Sequence, residues 1–166
     1  MSFPTVEYRS EYIYKVIDCN NYDGDSINII AERVFDFGFG KKIIGQEPIK
    51  VRLFGIDTPE LRSGSEDHKA AGRLAADLVQ AWLDEGFESS DKDADYPCFI
   101  LFESIEYKKG KYGRALGDFI DIRDGCRLSD YILKERLGVK YYGQSKADIQ
   151  HEHDANILYL KQTGLI

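Results

Sequence analysis

The chain is organised around a short apolar segment that carries one arginine and ends in two carboxylates: Val51-Arg52-Leu53-Phe54-Gly55-Ile56-Asp57-Thr58-Pro59-Glu60. Its first half is rich in residues that favour β-strands, and its proline cannot donate to a strand ladder. The pattern therefore predicts a strand that ends at Asp57. Alternation along it places Arg52 on one face with Phe54 and Ile56, where a guanidinium needs an anionic partner.

The sequence offers two kinds of partner for Arg52. The first is internal, a salt bridge to Asp57 or Glu60, in which case Asp-Thr-Pro is only a turn. The second is an anionic substrate. The ten residues alone do not separate these interpretations, and the motifs elsewhere in the chain have to decide between them.

Strand and helix patterns alternate along the remaining sequence. Strands are predicted at residues 12–17, 26–30, 98–106 and 115–122. Helices are predicted from a cap at Ser63 or Ser65 to a stop at Gly86, and over residues 128–137 and 147–161. Residues 18–25 read as a hairpin loop, residues 32–48 as an irregular extended edge without assigned chemistry, and the acidic residues 84–95 as a solvated loop.

Composition bounds the class of protein. A chain of 166 residues is expected to form one domain, here residues 12–166 after an N-terminal extension at residues 1–11. The sequence has no apolar run of membrane-spanning length, so we expect no membrane partner. It shows no secretory signal and its number of cysteines is odd, so we expect a cytoplasmic protein. We expect the protein to be a monomer. A net charge of −7 argues against coating nucleic acid through bulk electrostatics.

Three segments in a distinctive order point to a chemistry. They are Asp23-Gly24-Asp25-Ser26, then Arg52 with Asp57-Thr58-Pro59-Glu60, and finally the basic joint Lys111-Tyr112-Gly113-Arg114. Together, over roughly residues 12–142, they resemble the thermonuclease family, the staphylococcal nuclease-like domains. The resemblance implies an α+β, mainly β fold: a five-stranded OB-type β-barrel with about three packed helices.

The resemblance also implies roles for individual residues. Asp25, Asp57 and the Thr58 carbonyl would hold a Ca²⁺, with Mg²⁺ as a possible substitute. Arg52 and Arg114 would grip the scissile phosphate, and Glu60 would be the general base. The substrate-binding residues would be Lys111, Tyr112 and a tyrosine that is either Tyr141 or Tyr142, of which Tyr142 is our choice.

The chemistry of these residue types agrees with such a site. Hard oxygen ligands suit Ca²⁺ or Mg²⁺. Two arginines can stabilise the negative charge that develops on a phosphoryl group during the reaction. A lengthened first turn leaves open whether Asp18 or Asp23 supports the metal. His151 and His153, two residues apart on a helix, are predicted to be surface residues.

The expected function is therefore hydrolysis of DNA, RNA or both by a metal-dependent nuclease, most simply an endonuclease, which in the family leaves 3′-phosphate ends. The alternative is a non-catalytic OB-fold module that binds nucleic acid or protein. A binding module would need the arginines but not Glu60, so the joint presence of Arg52, Glu60 and Arg114 favours the enzyme.

Overall fold

The computed structural model describes residues 12–88 and 98–166 of the chain. The strands of this part are β1 (Ile13–Asp23), β2 (Ser26–Asp36), β3 (Lys42–Leu53), β4 (Ile56–Asp57), β5 (Ile100–Lys109), β6 (Ala115–Asp121) and β7 (Val139–Lys140). The helices are α1 (Glu66–Glu88), α2 (Leu128–Lys134) and α3 (Lys146–Gln162). A short 3-10 turn at Lys111–Gly113 joins β5 to β6.

Five strands close into a barrel in the order β1-β2-β3-β6-β5. All neighbours are antiparallel except β3 and β6, which run parallel over the short stretch where Val51 faces Ala115 and Leu53 faces Gly117. A separate two-stranded sheet joins β4 to β7. The prediction of an α+β fold with a five-stranded OB-type barrel and three helices is confirmed.

The core lies inside the barrel because alternate strand residues point inward. Among its fully buried side chains are Val16, Ile27, Val51, Leu53, Phe102 and Phe119. Helix α1 covers the barrel with a stripe at helical spacing, Ala75, Val79 and Leu83, and α2 adds Leu128 and Ile132.

The predicted strand at residues 51–57 is interrupted. β3 ends at Leu53, Phe54 and Gly55 form a turn in which Gly55 has φ +75°, and β4 begins at Ile56. Because the turn breaks the alternation, Phe54 leaves the face of Arg52 and is 44% exposed. The backbone N–H of Tyr141 donates to the Gly55 carbonyl, which anchors the turn.

Two other sequence predictions were wrong in detail. Residues 18–23 are not a loop, because β1 continues to Asp23 through irregularities in its pairing with β2, and the turn is only Gly24-Asp25. Residues 32–48 are not irregular, because they form most of a long β2–β3 hairpin paired from Ser26 opposite Arg52 to Asp36 opposite Lys42.

Helix α1 begins as one of the two proposed caps predicts. The Ser65 hydroxyl accepts from the backbone N–H of His68, and Glu66 lies in the first turn. Gly86 does not end the helix; it lies within α1 against the Ile100 side chain. Residues 84–88 of the acidic stretch are therefore helical, and residues 89–95 lie outside the described residues. Within the described ranges, none of the helices combines the length and apolar character needed to cross a membrane.

Candidate functional site

The barrel brings the three motifs together at one rim. Ser26, the first residue of β2, is the cross-strand partner of Arg52 near the end of β3. Arg52 is in turn the partner of Leu116 on β6, and Arg114 immediately precedes that strand. The backbone N–H of Leu53 donates to the Asp25 carbonyl at 2.9 Å. The β1–β2 turn, the end of β3 and the start of β6 thus form one site.

Arg52 lies between the two aspartates of the site. Its Nη2 donates to Asp57 Oδ1 at 3.2 Å, and its Nη1 lies 2.7 Å from Asp25 Oδ2. The second contact is close enough for an ion pair but lacks the alignment of a hydrogen bond, so buried Nη1 has no hydrogen-bond acceptor among the described residues. The internal salt bridge from Arg52 to Asp57 is therefore present.

Arg114 joins the same network through a hydroxyl. Its Nη1 donates to Ser26 Oγ at 2.9 Å, and that hydroxyl donates to Asp25 Oδ1 at 3.2 Å. The Arg114 guanidinium lies 6.0 Å from the centre of the Tyr112 ring. Its Nε, like Nη1 of Arg52, is buried and without an acceptor in the described part of the chain.

Helix α3 closes the other side of Asp57. Lys146 Nζ donates to Asp57 Oδ1, and His153 Nε2 lies 3.0 Å from Asp57 Oδ2. His153 is 6% exposed, so the prediction that it is a surface residue was wrong, whereas His151 is exposed as predicted. With the proton assigned to Nε2, His153 Nδ1 is buried without a partner in the described residues.

The pKa values of Asp25 and Asp57 are shifted in opposite directions. Burial raises the pKa of Asp25 from 3.8 to about 6, although the Arg52 charge opposes this, and neighbouring Asp23 raises it further. Burial alone would also raise the pKa of Asp57. Hydrogen bonds from His153 and Lys146, together with the charges of Lys146 and Arg52, outweigh it, so the pKa of Asp57 lies below its ordinary value.

The donor set does not fit a divalent cation as these side chains are arranged. Each of the four carboxylate oxygens of Asp25 and Asp57 already has a polar hydrogen donor, and the charges of Arg52 and Lys146 balance the two carboxylates. A divalent ion would add two positive charges beside these cations. No group of three or more His, Cys, Asp or Glu in the described ranges is placed to hold a metal ion. The calcium site stays a prediction.

Glu60 differs from the aspartates because its carboxylate is not engaged. It is exposed and makes no hydrogen bond or ion pair within residues 12–88 and 98–166. Its backbone is held by α1, since a Cβ on Gly72 would come within 2.9 Å of the Glu60 carbonyl oxygen. Glu60 lines a cleft of about 390 Å³ that Asp57, Lys146 and His153 also line, whereas Arg52 and Arg114 lie outside that lining.

The residues predicted to bind substrate lie at the edges of the site. Lys111 and Tyr112 are exposed on the 3-10 turn before Arg114. Tyr142 is 67% exposed and packs edge-on against Phe54, whereas the Tyr141 ring lies beneath Lys146. Tyr142 is therefore the more accessible of the two tyrosines.

Of the two carboxylates that were left open beside Asp25, only Asp23 joins its network. Asp23 Oδ1 accepts from the Asp25 backbone N–H at 3.3 Å. Asp18 is exposed and lines a cleft against α1 at Ala76 and Gln80, and it makes no hydrogen bond or ion pair to the residues around Asp25.

Sequence reasoning missed Lys146 and His153. A signal for His153 was present, because it stands four residues after Ile149 and four before Ile157, on the buried stripe of α3. Comparison with protein-family models and with curated proteins finds no match for this chain.

Proposed function

We propose that the chain hydrolyses phosphodiester bonds of nucleic acid at this rim. The observation that carries the proposal is the convergence of Arg52 and Arg114 on Asp25, directly and through Ser26 Oγ, together with a buried Arg114 Nε that has no hydrogen-bond acceptor among the described residues. A buried donor without an acceptor is costly, and the cost is removed when an anion accepts from it. A phosphate at this rim would accept from Arg114 and would be stabilised by the positive charge of Arg52.

Glu60 supplies the base in this proposal. Its exposed carboxylate takes a proton from a water molecule while the water oxygen forms a bond to phosphorus. The bond from phosphorus to the leaving sugar oxygen breaks, and that oxygen takes a proton from solvent. Arg52 and Arg114 stabilise the charge that builds up on the remaining phosphoryl oxygens. No step is assigned to a metal ion, because the oxygens that would bind it are engaged.

Exposed aromatic and basic residues support nucleic acid as the substrate class. Tyr112 is 92% exposed next to Arg114, and Tyr142 forms an exposed pair with Phe54 beside the turn that follows Arg52. Bases stack on such rings without regard to sequence, and Lys111 adds a cation for a neighbouring phosphate. Single strands therefore suit the rim better than duplexes.

The proposal is tested by initial rates on fluorescent single-stranded DNA, duplex DNA and RNA, each with Ca²⁺, with Mg²⁺ and with chelator. We expect Glu60→Gln to lower kcat about 10²–10⁴-fold with little change in KM, because the carboxylate acts on water. Arg114→Ala should lower kcat/KM about 10²-fold or more. Glu66→Gln is the control, since Glu66 is exposed and, within residues 12–88 and 98–166, pairs only with Lys69.

A wild-type protein that cleaves none of the three substrates but binds one of them would refute the hydrolase and leave the binding module. Equal losses of kcat and affinity in Glu60→Gln would refute the base assignment alone. Full activity in Arg114→Ala would show that Arg114 has a structural role and does not take part in catalysis.

A further inference from the structure

Lys146 connects the two parts of the candidate site. Its Nζ donates to Asp57 Oδ1, the same oxygen that accepts from Arg52 Nη2 at 3.2 Å. Lys146 also lines the cleft of about 390 Å³ that Glu60 lines, whereas Arg52 and Arg114 lie outside that lining. The lysine therefore lies between the arginines of the rim and the carboxylate that we propose as the base.

Helix α3 fixes the position of Lys146, which is its first residue. The hydroxyl of the preceding residue, Ser145, accepts from the Asp148 backbone N–H, and the Asp148 carboxylate accepts from the Ser145 backbone N–H. His153 follows seven residues after Lys146, two turns along the same face of the helix, and its Nε2 lies 3.0 Å from Asp57 Oδ2. One face of α3 therefore reaches both oxygens of Asp57.

The stability of the fold does not account for a lysine at this position. A positive charge in the first turn of a helix is unfavourable, because the helix N-terminus is itself positive. The Lys146 side chain is 59% exposed, and an ion pair made by so exposed a group contributes little to stability. The ammonium group is therefore available for a role in the chemistry of the site.

The ammonium group of Lys146 has donors left for a substrate. A lysine carries three N–H donors, and in the described part of the chain Nζ donates only to Asp57 Oδ1, with the Tyr141 ring 5.4 Å away. Because Nζ and Arg52 Nη2 share that oxygen, at most two hydrogen-bond lengths, about 6 Å, separate them. A phosphate group can accept from two donors at such a separation, with one oxygen facing each.

Lys146 lies at the carboxylate that the thermonuclease resemblance assigns to a metal ion. The resemblance implies that Asp57 holds Ca²⁺ beside the scissile phosphate. In this chain, both Asp57 oxygens already accept from Lys146, His153 and Arg52. A divalent ion would add two positive charges beside the ammonium and guanidinium groups. The positive charge at Asp57 thus comes from side chains.

We propose that Lys146 contacts the scissile phosphate and makes hydrolysis at this rim independent of a divalent metal ion. This inference rests on the proposed hydrolysis. The ammonium group donates to a phosphoryl oxygen and, together with Arg52 and Arg114, stabilises the charge that develops there. Lys146 keeps its proton throughout, since Glu60 takes the proton of the attacking water and the leaving sugar oxygen takes a proton from solvent.

Initial rates on fluorescent single-stranded DNA and RNA test the proposal with the full chain. We expect the wild type to cleave equally fast in excess chelator and in Ca²⁺, and Lys146→Ala to lower kcat/KM in chelator about 10²-fold. Lys146→Arg keeps the positive charge and should recover most of that loss. The matched control is Lys161→Ala, because Lys161 lies on the same helix, pairs with Asp67 at 2.7 Å and is 49% exposed. The control should cleave like the wild type.

Isothermal titration calorimetry with calcium chloride gives a readout that does not depend on activity. Lys146→Ala should bind a Ca²⁺ that the wild type does not bind, because loss of the ammonium group frees part of Asp57 Oδ1. Identical Ca²⁺ titrations of the two proteins would overturn the inference, as would full activity of Lys146→Ala in chelator.

The rates also separate this inference from the proposed hydrolysis. A wild type that cleaves in Ca²⁺ or Mg²⁺ but not in chelator overturns the role of Lys146 and leaves the hydrolysis standing. A wild type that cleaves in none of these conditions refutes the hydrolysis, and this inference with it.

Discussion

The sequence allows two interpretations of Arg52, an internal salt bridge and a contact to an anionic substrate, and it does not choose between them. The Arg52 guanidinium is paired with Asp25 and Asp57, as a structural arginine would be, and one of its buried nitrogens still lacks an aligned acceptor. The internal salt bridge therefore does not exclude the proposed anion site. The aspartates hold the guanidinium in place, and in the proposed function its charge stabilises a phosphate that binds beside Arg114.

Asp57 should be the residue of the site that matters most for stability. It is 4% exposed and accepts from Arg52, Lys146 and His153. Removing one partner from a buried charged network leaves the others uncompensated, so Asp57→Asn should lower the free energy of unfolding by about 3 kcal/mol in urea denaturation. Lys146→Ala is the comparison and should lose less than about 1 kcal/mol, because the lysine side chain is 59% exposed. Equal losses of unfolding free energy in the two variants would show that the buried charge network does not account for the effect of Asp57→Asn.

Asp25 should make stability depend on pH. Its pKa is about 6 in the folded chain against 3.8 ordinarily, so the folded state binds the proton first as pH falls. Its contribution to stability is therefore present below pH 3.8 and is lost as pH rises through about 6. Asp25→Asn removes this dependence.

The measurement is the melting temperature of Asp25→Asn minus that of the wild type at two values of pH. This difference in melting temperature should be more positive at pH 7.5 than at pH 5, because the wild type loses stability as Asp25 ionises. Asp77→Asn, an exposed change on α1, should give the same difference at both values. A difference for Asp25→Asn that does not vary with pH would contradict the raised pKa.

At the level of elements, the sequence predicted what local pattern controls. Local patterns were sufficient to predict the apolar stripe of α1 and the strand-like runs around the three motifs, whereas the barrel that brings Asp25, Arg52 and Arg114 together was implied only by the family resemblance. The sequence could not reveal that α3 packs over Asp57, because no local pattern specifies which rim a terminal helix covers. It also could not reveal the outer part of the β2–β3 hairpin, since exposed phenylalanines between glycines resemble an irregular edge until their cross-strand partners are known.

Helix α3 accounts for the expected response to metal ions. Lys146 and His153 engage both oxygens of Asp57, so millimolar Ca²⁺ or Mg²⁺ should leave the wild-type melting temperature where chelator leaves it. Lys146→Ala removes one cation and frees part of Asp57 Oδ1, so a rise with Ca²⁺ is expected in that variant only. A Ca²⁺-dependent rise in the wild type would mean that the ion displaces these contacts, and it would support the calcium site implied by the thermonuclease resemblance.

For the whole molecule, the barrel brings the ends of several strands together at one rim, where Arg52, Arg114, Asp25 and Asp57 meet. Among the described residues, the outer part of the β2–β3 hairpin, residues 33–45, extends beyond the strand pairing with β1 and β6. The proposed reaction therefore concerns the rim and not the hairpin.

The central claim is that Arg52 and Arg114 bind one phosphate. A crystal structure of the protein with a hydrolysis-resistant phosphorothioate dinucleotide tests it most directly. We expect oxygens of the linking phosphate within about 2.7–3.2 Å of a guanidinium nitrogen of both Arg52 and Arg114, with the Glu60 carboxylate on the side of water attack. A dinucleotide that binds elsewhere and leaves both guanidinium groups without a substrate oxygen would refute a shared phosphate site.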